Sequence, residues 1–324
     1  MSPRSLRCRL PLPEGLRRED ILAFHRRDAE AVAEQVTEDS LRKGLVWHGC
    51  PASLCLHFHG DAVDAHMDLQ TTPAEDAAPA RRQAAFEAMV QRMLGLQQDI
   101  EAFEQAHRHH PQLGPLLARQ AGLRVPATAT PFEALSWAIT GQQISVRAAV
   151  AIRRRMIEAC GLRLPDGLLC HPDAKRVLAL GEAGLRQVGF TASKAGTLMG
   201  LSEAVQTGQL PLDAWLDAPT ADTVGDLTER LLALKGIGPW TVSYALMRGY
   251  GWLDGSLHGD VAVRRALGAL LVRDTGSANT PSPSVPPSPP LTVTPQAAEA
   301  WLAPLSPWRA LAAAHLWASL AMAA

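Results

Sequence analysis

The segment LLALKGIGPWTVSYALMRGYGWLDGSLHGDVAVRRAL (residues 231–267) carries the strongest structural signal in the chain. A tight turn, KGIG (235–238), separates two helical patterns, and Pro239 stands where the second helix begins. The two glycines of the turn permit unusual backbone angles and remove side chains that would block close approach. Ile237 is placed to fill the space between the two helices. The pattern predicts a helix-hairpin-helix.

Such a hairpin is suited to binding DNA through its backbone. The exposed amides at the start of the second helix match a phosphate oxygen, and contacts of this kind position a duplex without reading its sequence. The formal net charge of −1 neither favours nor excludes nucleic acid. Any binding of DNA is therefore predicted to rest on local geometry and not on a global positive field.

An aspartate and two aromatic residues follow the hairpin. Asp260 precedes the helical pattern VAVRRAL (261–267), so it is expected to cap that helix. Its spacing from the turn also favours a functional role, and both roles are compatible because a helix N-terminus stabilises a carboxylate. Trp240 and Tyr244 lie four residues apart and share one helix face. They form either core or an aromatic pocket.

The rest of the chain divides into two kinds of pattern. Residues 21–36 (ILAFHRRDAEAVAEQV) have helical spacing, whereas residues 53–60 (SLCLHFHG) alternate like a strand. We predict a small α+β domain over 1–78. Residues 131–160 show helical spacing with a start signal at Thr130-Pro131 and an end signal at Cys160-Gly161, and we predict an all-α region over 79–324.

Several features exclude other classes. Residues 274–293 form a Pro-rich insertion that is predicted to be exposed and disordered. Its composition favours an inert insertion, and a Pro-rich recognition segment is the alternative. No apolar run is long enough to span a membrane, and the start lacks the apolar core of a secretory signal, so we expect a cytoplasmic protein. The five cysteines contain no CxxC pair, and the histidines lack partners at metal-ligand spacing.

Residues 231–267 resemble the hairpin, Gly/Pro-rich loop and aspartate of the helix-hairpin-helix base-excision DNA glycosylase superfamily. Within it, the chain is most similar to the bacterial 3-methyladenine DNA glycosylase II family, from about Leu12 to the C-terminus. The supporting segments are AITGQQISVRAA (138–149), VGFTASKAGTLMGLSEAV (188–205) and SPWRALAAAHLW (306–317). The resemblance implies an α+β N-terminal domain with an antiparallel sheet, then an all-α helix-hairpin-helix glycosylase core whose two helical subdomains enclose the active-site cleft.

The resemblance also implies residue roles. Asp260 would act at the sugar, where cleavage of a purine C1′–N bond develops oxocarbenium character that a carboxylate stabilises. Gln143 stands where the family uses an apolar wedge, and its amide suits the orphaned partner base; a helix-surface glutamine is the alternative. The implied base-pocket residues are Trp240, Tyr244, Trp317 and Phe24, the last two being equally consistent with core. The implied DNA-binding residues are Gln143, Lys235, Gly236, Ile237, Gly238 and Thr241.

The expected function is monofunctional hydrolysis of alkylated purines from double-stranded DNA, by a monomer associated with the nucleoid. Residues 240–260 contain no lysine nucleophile, and no cysteine follows Cys170 to hold an iron–sulfur cluster. No cofactor is required. The family implies a Na⁺ or K⁺ ion at the hairpin, bound by the main-chain carbonyls of Leu232, Leu234 and Ile237. The alternative is a non-catalytic helix-hairpin-helix protein that recognises damaged DNA.

Overall fold

The computed structural model describes residues 5–71, 79–216, 219–275 and 293–321, so most of the Pro-rich insertion predicted over 274–293 lies outside the described residues. The strands are β1 (Ser5–Pro11), β2 (Glu34–Val36), β3 (Ser40–Trp47), β4 (Cys50–His59) and β5 (Ala62–Leu69). The helices are α1 (Arg18–His25), α2 (Pro79–Met93), α3 (Ile100–His107), α4 (Leu113–Arg119), α5 (Pro131–Gly141), α6 (Val146–Cys160), α7 (Ala174–Gln187), α8 (Ala192–Gln206), α9 (Ala221–Leu232), α10 (Pro239–Tyr250), α11 (Val261–Thr275), α12 (Pro295–Leu302) and α13 (Arg309–Ala321), with 3₁₀ turns at Leu212–Trp215 and Ala303–Leu305. None of the helices in these ranges has the length and apolar character needed to cross a bilayer.

The five strands form one antiparallel sheet in the order β1-β5-β4-β3-β2. The alternation predicted for β4 is observed: Leu54, Leu56 and Phe58 are buried, whereas His57 and His59 are exposed. This period of two arises because successive strand side chains point to opposite faces. A sheet domain followed by helices confirms the predicted fold class.

The helix predicted over 21–36 is wrong beyond His25. Ala31 has a φ of 51°, which a right-handed helix does not allow, and Glu34–Val36 pairs as β2 with β3. The strand forms here because of a tertiary contact: in β2 the Glu34 carboxylate is buried in the interior. A polar residue in a helical pattern gives no local sign of such burial.

The helical segment predicted over 131–160 is interrupted once. Its ends are as predicted, since Thr130 caps α5 and Gly161 ends α6 with a φ of 64°. Between them residues 142–145 form a turn, in which Gln143 has a φ of 56° and Ser145 caps α6.

Helix α10 lies between the two apolar clusters of the helical region. Tyr244 and Met247 pack in a cluster with side chains of α3, α4, α11 and α13, whereas Val242 and Leu246 pack in a cluster with side chains of α5, α8 and α9. The sheet has a separate core, to which α1 and α2 contribute. The predicted division at residue 78 stays a prediction. Burial on several sides fixes α10 in position.

A buried ion cluster joins the sheet to the helices. The ammonium group of Lys43 on β3 has no solvent exposure and donates to Glu34 Oε1 on β2 and to Glu133 Oε1 on α5, each at 2.6 Å. Arg153 on α6 lies 3.0 Å from Glu133 and 3.1 Å from Glu34. Burial opposes ionisation of Glu133, yet Lys43 and the other nearby cations lower its pKa to about 2. The carboxylates of Glu34 and Glu133 therefore stay charged and paired with Lys43 and Arg153.

Replacing Lys43 with Met should lower the free energy of unfolding by about 3–5 kcal/mol, because two buried carboxylates lose a cation. Equilibrium urea unfolding measures the change. Arg9→Met is the matched control, since the Arg9–Asp64 pair is exposed at 65% and 44% and its loss should cost at most about 1 kcal/mol. Equal losses in the two variants would show that the cluster does not hold the domains together.

Stability should also decline in acid because of buried histidines. Burial lowers the pKa of His171 to about 4, against the attraction of Glu133, and burial likewise lowers the pKa of His25. The unfolded chain protonates histidine near pH 6.5, roughly, so stabilisation that is complete above this pH is lost as the pH falls through about 4.

Urea unfolding from about pH 7.5 to pH 4 should show this decline, and His171→Phe should make it shallower. His66→Phe, at a partly exposed position on β5, should leave the wild-type decline unchanged. A steep decline that survives His171→Phe intact would exclude His171 as a cause.

Candidate active site

The hairpin turn requires glycine at position 236. Helix α9 ends at Leu232 and α10 begins at Pro239. Gly236 has a φ of 87°, and a Cβ at this position would lie 2.0 Å from Thr197 Oγ1 on α8. Ile237 is buried in the cluster that contains Leu231, while Lys235 is exposed. The turn is therefore pressed against α8 and leaves Lys235 at the surface.

The N-terminus of α10 has no side-chain cap. Gly238 occupies the N-cap position and Pro239 the first helical position. The following backbone amides therefore donate no hydrogen bond to a capping side chain, and the positive end of the helix dipole lies at the exposed Pro239. The amides at this end can donate hydrogen bonds to an anionic oxygen.

The turn between α5 and α6 braces the hairpin. The Gln142 side-chain amide donates to Gly236 O and to Thr241 Oγ1, each at 3.0 Å. The Thr241 side chain is buried and its hydroxyl is bonded to Gln142. A contact between Thr241 and DNA stays a prediction. Gln143 projects from the same turn and is exposed. Sequence reasoning missed Gln142, although it adjoins Gln143 in the quoted GQQ.

Asp260 is held by four N–H donors. Its Oδ1 accepts from the amides of Ala262 (2.8 Å) and Val263 (2.9 Å) and from Trp317 Nε1 (3.1 Å), and its Oδ2 accepts from Trp240 Nε1 (2.9 Å). The hydrogen bonds from the Ala262 and Val263 amides form the predicted N-cap of α11. Such donors, together with a helix N-terminus, attract negative charge. The carboxylate is fixed in orientation from both sides.

Two indoles bind this carboxylate, and a tyrosine ring lies against both of them. Trp240 and Tyr244 are stacked, with ring centroids 5.4 Å apart and an interplanar angle of 29°. Tyr244 lies 6.2 Å from Trp317 at 52°. Because both indoles bind Asp260, the acid and the rings form one unit. The structure thus brings together four of the predicted site residues, all partly or fully buried.

An arginine links Phe24 to these rings. The guanidinium carbon of Arg248 lies 4.7 Å from the Phe24 centroid and 5.9 Å from that of Trp317. Arg248 is buried and donates to Pro126 O at 2.7 Å. Burial lowers its pKa to about 10, so it remains charged at neutral pH. Arg248 was missed, although it follows Tyr244 by one helical turn.

The chain joins a sheet domain to helices and has a hairpin without a side-chain cap, followed by an aspartate that caps the next helix. Two family models match it. Residues 7–130 match the AlkA N-terminal domain, and residues 136–281 match the HhH-GPD superfamily base excision DNA repair protein. The resemblance drawn from the sequence is confirmed for both domains.

Individual relatives agree with this assignment. DNA-3-methyladenine glycosylase of Bacillus subtilis (strain 168) is 28% identical over 156 residues, 47% of this chain and 50% of its own length. DNA-3-methyladenine glycosylase 2 of Escherichia coli (strain K12) is 29% identical over 207 residues, 63% of each chain. The chain thus spans between half and two thirds of the length of these relatives.

One solved structure shows the same fold over nearly the whole chain. The 3-methyladenine DNA-glycosylase from Archaeoglobus fulgidus matches with a TM-score of 0.75, covering 96% of this chain and 97% of its own, at 19% sequence identity. At this identity the likeness concerns the fold alone.

Replacing Gly236 with Ala should destabilise the protein by at least about 2 kcal/mol, because a side chain at positive φ is strained and meets Thr197. Thermal and urea unfolding measure the loss. Gly238→Ala is the control: its φ is −111° and an added Cβ would have no atom within 4 Å, so the cost should stay below about 1 kcal/mol. Similar costs at both positions would contradict the close approach to α8.

Proposed function

We propose that this chain is a monofunctional DNA glycosylase that flips alkylated purines, of the 3-methyladenine and 7-methylguanine type, out of duplex DNA and hydrolyses the N-glycosidic bond. The observation that carries the proposal is the Asp260 carboxylate, which is oriented by two indole N–H groups and two amides beside a set of aromatic rings. A protein that only bound damaged DNA would need the hairpin but not this carboxylate.

Asp260 Oδ2 is the oxygen best placed to act on the sugar. Oδ1 accepts three of the four N–H bonds, whereas Oδ2 accepts from Trp240 and keeps a lone pair. As the C1′–N bond breaks, positive charge develops on the sugar, and a fixed carboxylate stabilises it without reorganising. The same oxygen is suited to orient or deprotonate the attacking water.

The aromatic rings supply the proposed base pocket. Alkylation at N3 or N7 makes the purine cationic and a better leaving group, and ring faces attract cations by about 0.5–2 kcal/mol each. Arg248 adds a fixed positive charge next to Trp317, opposite in sign to Asp260. Recognition through ring faces instead of edge hydrogen bonds would accept several lesions.

The hairpin is the proposed grip on the strand. Phosphate oxygens would bind the uncapped start of α10, with Lys235 adding charge and Gly236, Ile237, Gly238 and Thr241 shaping the turn. Gln143 projects beside the hairpin, which supports its placement in the gap left by the flipped base. Backbone contacts of this kind are compatible with a net charge of −1.

The remaining parts of the proposal concern chemistry and cell context. Because residues 240–260 contain no lysine, base release should leave the strand intact, with no iron–sulfur cluster or other required cofactor. A monomer acting on chromosomal DNA would reside in the cytoplasm, associated with the nucleoid. The carbonyls of Leu232, Leu234 and Ile237 would bind Na⁺ or K⁺; Leu234 O accepts one bond, from the Ile237 amide at 3.1 Å, and retains a second lone pair.

Replacing Asp260 with Asn should reduce release of 3-methyladenine from methylated DNA by about 10²- to 10⁴-fold, because an amide cannot stabilise the sugar cation. Chromatography of the freed base gives the rate. Binding to duplex with an abasic-site mimic should persist in the variant. Asp226→Asn, which removes an exposed carboxylate paired with Arg230, should leave the rate unchanged.

Two outcomes would count against the proposal. Full base release by Asp260→Asn would exclude the carboxylate as the catalytic group. Tight binding of methylated DNA by the wild type without release of any base would favour the non-catalytic alternative.

A further inference from the structure

Arg27 fills an aromatic slot next to the proposed base pocket. Its guanidinium carbon lies 4.3 Å from the ring centroid of Phe24 on α1 and 5.4 Å from that of Trp137 on α5. Both rings are half-buried, whereas Arg27 itself is exposed. A solvent-exposed arginine that rests on two rings covers apolar surface that would otherwise meet water.

Over the described ranges of the chain, Arg27 has no hydrogen bond or ion pair, whereas the neighbouring Arg26 binds Glu19 Oε1 at 2.7 Å. Arg248, the other cation on Phe24, is fixed by its bond to Pro126 O. Arg27 is therefore free to leave the slot by rotation of its side chain, while Arg248 stays.

The space beneath Arg27 is too small for a base. A cavity of about 30 Å³ is lined by Phe24, Arg27 and Trp137, together with the charged side chains of Asp28, Glu34, Glu133 and Arg153. This volume holds a water molecule or two but no purine. A planar ligand can therefore enter between the rings only when Arg27 has moved out.

We propose that Phe24 and Trp137 form a binding slot for a planar cation, that the Arg27 guanidinium occupies it in the free protein, and that an N-alkylated base displaces Arg27. A guanidinium and an alkylated purine share the features that ring faces recognise, a flat shape and one positive charge. Arg27 thereby lowers the apparent affinity for every entering base, because the competent state is only part of the population.

The identity of the natural ligand rests on the proposed glycosylase function, but the slot itself does not. It is tested with 1-methylquinolinium, a permanently cationic planar probe, and with quinoline, its neutral counterpart, by calorimetric titration in the absence of DNA. Arg27→Ala should bind 1-methylquinolinium about fivefold more tightly than the wild type, and quinoline should gain less. Arg26→Ala, which removes the same charge one residue away, should bind both probes like the wild type.

Competition provides a second measurement on the folded variant. In Arg27→Ala, low concentrations of guanidinium should displace 1-methylquinolinium, whereas urea, a neutral molecule of the same shape, should not. The double variant Arg27→Ala/Trp137→Leu should lose the gain in affinity. With methylated DNA, Arg27→Ala should lower KM and leave kcat unchanged.

Three results would overturn the slot. Binding of the probe by Arg27→Ala no more tightly than by Arg26→Ala would show that the guanidinium blocks nothing. Equal competition by urea and guanidinium would show that charge is not recognised. A higher KM on DNA with unchanged probe binding would make Arg27 a phosphate contact. A catalytically inactive wild type whose variant still gained probe affinity would refute the proposed function and retain the slot.

Discussion

The buried Lys43 ammonium group, held between the carboxylates of Glu34 and Glu133, is the contact on which the arrangement of the site depends. An unpaired charge at this depth would cost several kcal/mol, roughly, so the sheet and α5 must meet in one relative position for both carboxylates to be neutralised. His25 extends the cluster through a 2.8 Å contact with Glu34. Because His25 follows Phe24 in α1, the cluster also sets where the Phe24 ring faces α5.

Helix α10 connects the proposed DNA-binding hairpin with the proposed catalytic carboxylate. Its uncapped start belongs to the hairpin, and its residues at positions 240, 244 and 248 lie on one face because a helix repeats every 3.6 residues. Trp240 binds the carboxylate, Tyr244 stacks on Trp240, and Arg248 reaches toward Phe24. A strand bound at the start of this rigid helix is therefore held at a fixed distance from Asp260.

Charge divides the site into two parts. The hydrogen bonds that the Asp260 carboxylate accepts within the described part of the chain all come from N–H groups, so this part suits a carboxylate facing a developing cation. Around Phe24 the ring carries two guanidinium groups, those of Arg27 and Arg248. A cationic ligand that enters near Phe24 is thus repelled by these guanidinium groups, whereas a cationic ligand near Asp260 is attracted by the carboxylate.

The sequence alone determined the features that depend on neighbouring residues. The KGIG turn and Pro239 predicted the hairpin, the alternation in β4 predicted a strand, and Asp260 was expected to cap α11, because turns, pleats and caps are formed within a few residues. Only the tertiary structure decided the rest. Lys43, Glu34, Glu133 and Arg153 pair across 119 residues of chain, and in a one-dimensional pattern each resembles a solvated surface charge. The same holds for Arg27 and Trp137, whose contact exists only because the folded chain places the turn after α1 beside α5.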